Sequence, residues 1–193
     1  MGKLFYIMGK SASGKDTIYQ RLLRKPEFSL ERLVIYTTRP IRDGELDGRE
    51  YHFVTEEDFQ KLKAERKIIE DRGYETVYGL WRYFTADNMN LEEKNYLGIG
   101  TLESYEKLKA YYGEEKIRPI YIEVEDGERL SRALNRERMQ ESPKYEELCR
   151  RFLSDAKDFS GEKLKEAGIT RRFVNQDLDE TEEEIRRAIL EDR

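Results

Sequence analysis

The sequence predicts an α/β domain with a mostly parallel sheet, built as one domain or as two tightly joined lobes. Short apolar runs alternate along the chain with longer charged segments of helical periodicity, which is typical of that class. The chain has 193 residues, of which 40% are charged and 37% apolar. The charges nearly cancel to a net −5, and 13 tyrosines and 8 phenylalanines add apolar area, so the composition argues against a disordered chain.

The first strands and helix are predicted from the apolar runs and from the small and polar residues that separate them. An apolar run at residues 4–8 predicts a buried strand, and the small residues at 9–14 predict a loop. Residues 16–24 have a helical pattern. Residues 33–36 predict a second strand, which leads into a polar loop over residues 37–50.

The rest of the chain continues the same alternation. Further strands are expected at residues 51–54, 67–71, 95–99, 117–124 and 172–175, and further helices at residues 102–112, 127–138 and 145–158. Thr55 and Asp58 have the spacing of a helix start. Thr181 and Glu184 have capping-box spacing, which predicts that the last helix opens there.

The charge balance and the rare residue types exclude several kinds of protein. No basic excess is available to neutralise a nucleic-acid backbone, so we expect no nucleic-acid partner. Cys149 and His52 are single, which excludes a Cys/His zinc site and disfavours a Ser–His or Cys–His nucleophile. The apolar stretch at residues 4–8 is too short for a signal peptide or a membrane span. We therefore expect a cytoplasmic protein, either a monomer or a homodimer.

A phosphate-binding loop is the strongest motif. The segment Gly9-Lys10-Ser11-Ala12-Ser13-Gly14-Lys15 lies between the first predicted strand and a predicted helix. Small residues allow successive backbone N–H groups to surround a phosphate, and a helix N-terminus favours an anion. Lys15 is then expected to reach the outer phosphates as a mobile point charge. The alternative is a tight glycine turn with an exposed Lys15.

Asp16 and Thr17 follow the loop lysine and are the candidate metal ligands. Mg²⁺ is often held by one or two carboxylates together with phosphate oxygens, which suits Asp16, and Thr17 can supply a hydroxyl. Asp16 can equally be a first-turn acid that the helix dipole stabilises.

Several segments together resemble the guanylate kinase family. They are residues 9–17, 36–45 (Tyr-Thr-Thr-Arg-Pro-Ile-Arg-Asp-Gly-Glu), 48–54 (Gly-Arg-Glu-Tyr-His-Phe-Val), 68–70, 77–79 and 174–179. The resemblance runs in order from Lys3 to about Leu190. It implies a three-layer phosphate-loop kinase with a core (residues 1–33, 96–128 and 159–193), a lobe for the nucleoside monophosphate (34–95) and a helical lid (129–158).

The resemblance also implies roles for individual residues of the small lobe. Arg39, Arg42, Tyr51 and Tyr78 match the family residues that grip the acceptor phosphate; planar guanidinium forks and neutral hydroxyl donors suit that task. Glu70 matches the carboxylate that faces the base. A carboxylate only accepts hydrogen bonds, and guanine offers N1–H and a 2-amino group. The alternatives are surface arginines and a solvated glutamate at a strand end.

The remaining implied roles belong to the core and the lid. Asn175 lies in the segment that matches near the ATP site. Arg136 and Arg151, among the lid arginines, are expected to stabilise the transferring phosphoryl group. The alternative for these arginines is a salt-bridged helix face. The implied reaction is Mg²⁺-dependent transfer of the γ-phosphoryl group of ATP to a nucleoside monophosphate, GMP first among them.

The chain departs from the family mainly where the base should bind. Ile35 and Leu80 replace small hydroxyl residues, and Gly98 and Gly100 replace two aspartates, of which the resemblance assigns one to the metal and one to the base. The resemblance extends to ribose 1,5-bisphosphate phosphokinases, which share Asp16 after the loop lysine and need no base site. Guanylate-kinase domains of membrane scaffolds, which bind proteins, are a further alternative. The identity of the acceptor is therefore open at this stage.

Overall fold

Two sheets and a set of surrounding helices make up the computed structural model, which describes residues 2–76 and 79–192. The strands are β1 (Leu4–Met8), β2 (Leu30–Arg32), β3 (Tyr36–Thr37), β4 (His52–Phe53), β5 (Ile68–Thr76), β6 (Gly79–Ala86), β7 (Asn95–Ile99), β8 (Ile117–Glu123) and β9 (Arg172–Val174). The α-helices are α1 (Lys15–Leu23), α2 (Glu56–Ala64), α3 (Leu102–Tyr112), α4 (Asp126–Arg138), α5 (Tyr145–Asp158), α6 (Gly161–Glu166) and α7 (Leu178–Glu191). A short 3-10 helix spans Pro26–Phe28.

The larger sheet is parallel and has the order β2-β7-β1-β8-β9. Its central strand β1 is buried at every residue, because apolar clusters cover both of its faces. Leu4, Tyr6 and Met8 point into one cluster, and Phe5 and Ile7 point into the other. The predicted α/β class with a mostly parallel sheet is thereby confirmed.

The smaller sheet has the order β4-β3-β6-β5, and β5 and β6 form an antiparallel pair. One face packs its Phe84 against Phe59 of α2. On the other face lie Glu70 and Arg72 of β5, since alternate residues of a strand share a face. In the register of the pair, Glu70 lies opposite Thr85 and Arg72 lies opposite Tyr83.

Two predicted element boundaries are wrong. Residues 33–36 do not form one strand: β2 ends at Arg32, the Leu33 amide still donates to the Leu97 carbonyl, and β3 begins at Tyr36 in the other sheet. The last helix opens at Leu178 instead of Thr181. Asp177 caps it by accepting from the amides of Asp179 and Glu180, while the Thr181 hydroxyl donates to the Asp177 carbonyl.

Four elements were not predicted: β2, the short 3-10 helix, β6 and α6. The pattern of β6 is interrupted by Arg82 on the face of Phe84 and by Trp81 and Tyr83 on the other face, and α6 is a single short stretch that Ser160 caps. The other predicted strands and helices are present with shifts of a few residues at their ends. Within the described part of the chain, no helix has the length and apolar character that crossing a membrane requires.

Tyr6 explains why glycine stands at positions 98 and 100. The Tyr6 ring crosses the end of β7, where a Cβ on Gly98 would lie 2.6 Å from Tyr6 Cδ2 and 3.0 Å from Leu33 Cδ2. A Cβ on Gly100 would overlap the Tyr6 hydroxyl oxygen. The two glycines are therefore required by a packed aromatic ring.

We expect Gly98→Ala to lower the free energy of unfolding by about 1–3 kcal/mol, because the added methyl group overpacks a buried contact. Chemical denaturation of the purified protein measures this change. The control is Gly161→Ala, where the new Cβ meets no atom within 4 Å. A Gly98→Ala protein as stable as the wild type would contradict the steric account.

Candidate active site

The loop at residues 9–14 joins the carboxyl end of β1 to the start of α1. Gly14 has φ of 86°, and a Cβ there would overlap the Asn175 amide nitrogen. A Cβ on Gly9 would lie 2.6 Å from the Ile122 carbonyl oxygen. Both glycines are therefore needed for close approach of the neighbouring backbone and side chains, which brings the loop against the end of β8.

Ser13 and Asn175 hold the middle of the loop. Asn175 Nδ2 donates to the Ser13 carbonyl oxygen at 2.8 Å, and both residues are buried. The Ser13 hydroxyl oxygen is buried without a hydrogen-bond partner within the described residues. An unsatisfied buried hydroxyl next to a helix N-terminus fits a loop that takes an anionic ligand.

Several cations meet in a cavity on one side of the loop. Lys15, Arg136 and Arg151, the three predicted catalytic residues, line it together with Asp16 and Lys144. Lys15 Nζ lies 3.5 Å from the Asp16 carboxylate. The structure thus brings together one residue from α1, one from α4 and one from α5. Lys144 was not predicted, because it stands alone in a polar break between two helices.

A second cavity opens beside it. The predicted ATP residues Ala12, Gly14, Thr17 and Asn175 line it, with Arg136 reaching both cavities. The polar segment at residues 175–177 forms one wall. The two cavities share the loop, so a ligand that extends along the loop can occupy both.

Two arginines of α5 also take part in ion pairs. Arg151 Nε lies 2.6 Å from Glu147 Oε1, and Arg150 Nε lies 2.7 Å from Glu147 Oε2. Hydrogen bonds from Arg150 and then Arg151 lower the pKa of Glu147 to about 2. The salt-bridged helix face that the sequence left open is therefore present, and Arg151 both lines the cavity and pairs with its own helix.

Arg129 ties these helices to the loop. Its side chain is 1% exposed and donates to Asp126 and to Asp155, and it stacks on the Phe152 ring at 4.1 Å. Arg129 Nη1 also donates to the Ser11 carbonyl at 3.2 Å, and the Ser11 amide donates to Asp155 Oδ2 at 2.8 Å. No local sequence pattern marks this cluster, since Asp155 lies far from the loop along the chain.

The predicted phosphate-gripping residues of the small lobe lie around Glu45. Arg39 is 3% exposed, and its fork meets both Glu45 oxygens at 2.8 and 3.0 Å. The Arg42 amide donates to Glu45 Oε2, and the Arg39 guanidinium lies 5.4 Å from the centre of the Tyr51 ring. The pKa of Arg39 is raised by its hydrogen bond to Glu45, and the same bond lowers the pKa of Glu45. Burial raises the pKa of Tyr51.

The exposure of these residues differs. Arg42 is exposed at the rim of the lobe, whereas Tyr51 is half-buried against Tyr83. Tyr78 lies outside the described residues, so its predicted contact with the phosphate stays a prediction. Arg39 is not the surface arginine of the alternative reading.

Glu70 is a buried carboxylate, so the alternative of a solvated strand-end residue is wrong. Its side chain is 1% exposed. Thr85 donates to Oε1 at 2.8 Å and Ser104 donates to Oε2 at 3.2 Å. Arg72 Nε lies 3.2 Å from Oε2. Arg72 and Ser104 were not predicted, although the two-residue period of the strand places Arg72 on the same face as Glu70.

The candidate metal ligands are two adjacent oxygen donors. Asp16 and Thr17 are exposed on the first turn of α1, next to the loop. In residues 2–76 and 79–192, no three His, Cys, Asp or Glu side chains are grouped so that they could hold a metal ion. A cation here would need oxygen atoms from a phosphate ligand, which is how Mg²⁺ is commonly bound.

We expect Asp155→Ala to lower the free energy of unfolding by about 3 kcal/mol, because it removes one partner from a buried charge cluster and leaves the Ser11 amide without its acceptor. Denaturation curves measure the loss. Asp158→Ala, at an exposed position on the same helix, serves as the control. A loss below about 1 kcal/mol would show that the Arg129 cluster does not anchor the helix.

Comparison with known proteins agrees with this geometry. The family model for guanylate kinase matches residues 1–192. Guanylate kinase from Porphyromonas gingivalis is 31% identical over 197 aligned positions, covering 99% of this chain and 98% of that protein. Guanylate kinase from Nitratidesulfovibrio vulgaris is also 31% identical, covering 99% and 87%.

A solved structure gives the same fold. The crystal structure of guanylate kinase from Anaplasma phagocytophilum matches with a TM-score of 0.65 at 22% identity, over 98% of this chain and 85% of that one. At that identity the likeness supports the fold alone. The family match over nearly the whole sequence goes further: the chain belongs to the guanylate kinase family.

Proposed function

We propose that the chain transfers the γ-phosphoryl group of ATP to the phosphate of GMP, giving ADP and GDP. The observation that carries the proposal is the meeting of Lys15, Arg136 and Arg151 in one cavity at the phosphate loop. This is the reaction of the family to which the chain belongs. The match gives no support to a ribose bisphosphate phosphokinase or to a protein-binding module.

ATP is expected to lie along the loop. The backbone amides at the start of α1 and the Lys15 ammonium hold its phosphates, since unpaired N–H donors and the helix dipole favour an anion there. The nucleoside then occupies the second cavity, beside Asn175. The buried Asn175 keeps the loop in shape by donating to Ser13.

The acceptor phosphate is expected at Arg39, Arg42 and Tyr51 of the small lobe. Arg39 is already paired with Glu45, so the arriving phosphate has to share its fork or displace the carboxylate. A dianion offers more acceptor oxygens and more charge than the single carboxylate, which favours the exchange. Arg42, exposed at the rim, supplies a second fork.

The transfer itself needs no protein nucleophile. Arg136 and Arg151 stabilise the charge on the transferring group, and Lys15 stays with the phosphates. We assign residues 129–158 to a lid, residues 34–95 to the acceptor lobe and the remainder to a core. Closure of the lid over the loop would exclude water and so protect ATP from hydrolysis.

Asp16 and Thr17 fit a magnesium site, because both are exposed oxygen donors beside the loop. When bound, Mg²⁺ neutralises charge on the phosphates of ATP. Asp16 then accompanies a cation where it would otherwise repel the phosphates. We place the protein in the cytoplasm, acting on ATP and GMP as a monomer or homodimer.

The function is tested by following ADP release from Mg·ATP with GMP, dGMP, AMP, UMP, CMP and ribose 1,5-bisphosphate as separate acceptors. We expect turnover with GMP and its loss when EDTA removes the divalent cation, because the phosphates then lack a counterion. Turnover on another acceptor alone would reject GMP as the substrate. If none of the six acceptors led to ADP release while ATP was still bound, the proposed kinase activity would be rejected.

Two variants separate the role of the phosphate loop from that of the acceptor lobe. We expect Lys15→Ala to lower kcat by about 10²-fold or more, since a cation that stabilises transition-state charge is lost. We expect Arg42→Ala to raise the KM for GMP at least about tenfold and to leave the KM for ATP unchanged, because a charged hydrogen bond to the acceptor is lost.

Initial-rate kinetics with each substrate varied in turn measure both effects. Lys165→Ala and Arg66→Ala replace exposed residues of the same types and are the controls. If Arg42→Ala instead raised the KM for ATP, the small lobe would not be the acceptor side.

A further inference from the structure

The polar groups that the family places around the base are absent here, and the structure shows what stands in their place. The Tyr6 ring fills the end of β7, so no side chain fits at Gly98 or Gly100. Ile35 packs against the apolar cluster beneath β1, and Leu80 of β6 lies against Gly73 of β5. None of these four positions can offer a hydrogen bond from a side chain to a base.

The two carboxylate oxygens of Glu70 are instead surrounded by donors from the protein. A carboxylate has about four lone-pair sites, two on each oxygen. Thr85 uses one site on Oε1, while Ser104 and Arg72 both lie on Oε2. Arg72 Nε is buried and has no well-aligned hydrogen bond within the described residues, despite its 3.2 Å distance to Oε2. The Arg72 contact is therefore electrostatic and geometrically loose.

Arg72 also lies between Glu70 and the phosphate-gripping cluster. It is opposite Tyr83 in the β5–β6 register, so the two side chains share a face of the sheet. The Tyr83 ring contacts the Tyr51 ring, with centroids 5.6 Å apart. The Arg72 side chain is 20% exposed and lines a cleft with Thr101 and Tyr74. A nucleotide whose phosphate is held near Tyr51 would therefore carry its base toward this face.

We propose that Arg72 reads the acceptor base together with Glu70: Arg72 donates to O6 of guanine while Glu70 accepts from N1–H and the 2-amino group. The inference rests on the function proposed above. A donor beside an acceptor matches the edge of guanine, where O6 accepts and the two nitrogens donate. Adenine presents an amino group where O6 would be, so it sets a donor against the Arg72 donor.

Guanine binding on Glu70 requires one movement. The loosely aligned Arg72 Nε leaves Oε2 to the base, and the guanidinium turns to O6, so its charge stays beside the carboxylate. Arg72 is then the specificity-determining residue that takes the place of the missing side chains at positions 35, 80, 98 and 100. Ser104 supports it by donating to Glu70 Oε2.

The test compares three acceptors that differ at single positions of the base edge: GMP, 6-thioguanosine monophosphate and IMP. Sulfur at position 6 is a weak acceptor, and IMP lacks only the 2-amino group. For the wild type we expect kcat/KM to favour GMP over the 6-thio compound by about tenfold or more, as for a hydrogen bond to a charged group.

In Arg72→Met we expect kcat/KM for GMP to fall at least about tenfold while that for the 6-thio compound changes little, so that the ratio approaches one. The GMP-to-IMP ratio, which Glu70 sets, stays near that of the wild type. Arg72→Lys keeps the charge and recovers part of the GMP activity. Arg66→Met, at an exposed arginine of the same lobe, is the matched control.

Four outcomes would overturn the inference. An equal loss on all three acceptors would mean that Arg72 only neutralises Glu70. A gain on GMP would mean that Arg72 blocks the carboxylate. Absence of wild-type turnover on GMP would reject the proposed function and the inference with it, whereas GMP turnover with an unchanged 6-thio ratio in Arg72→Met would reject the inference alone.

Discussion

β1 is hydrogen-bonded to β7 on one side and to β8 on the other, and apolar side chains cover both of its faces. The carboxyl end of β1 therefore cannot shift without the sheet, and this holds the start of the phosphate loop in a fixed position. Gly9 and Gly14 then let the loop approach β8 and Asn175 closely. The buried strand thus supplies the rigidity, and the glycines supply the close approach, that a phosphate site needs.

The cations of the site are held by carboxylates of the protein itself. Arg39 is paired with Glu45, Arg151 with Glu147, and Arg129 with Asp155. The first two pairs lie where phosphates are expected. An arriving phosphate therefore replaces a carboxylate as the partner of the arginine and does not bind an unpaired guanidinium. The Arg129 side chain is buried, and through Asp155 and the Ser11 carbonyl it joins α4 and α5 to the loop, so these two helices and the loop are held together.

Most of the large sheet could be predicted from the sequence, because apolar runs indicate buried strands and glycines indicate the turns that follow them. The sequence also predicted the residues at the phosphate loop, which are contiguous. It failed at β6 and at the junction after Arg32, where the chain passes from one sheet to the other and no local pattern marks the change. Arg129 and Asp155 could not be found, since their pairing depends on how distant helices pack.

The packing of Tyr6 against Gly98 and Gly100 has a consequence for how this sequence can change over time. An aspartate cannot enter at either glycine position while the ring is present, and shortening Tyr6 first would leave a cavity in the core. A protein that carries only one of these changes is therefore expected to be less stable than the present protein. Position 6 and the end of β7 are therefore expected to change together or not at all.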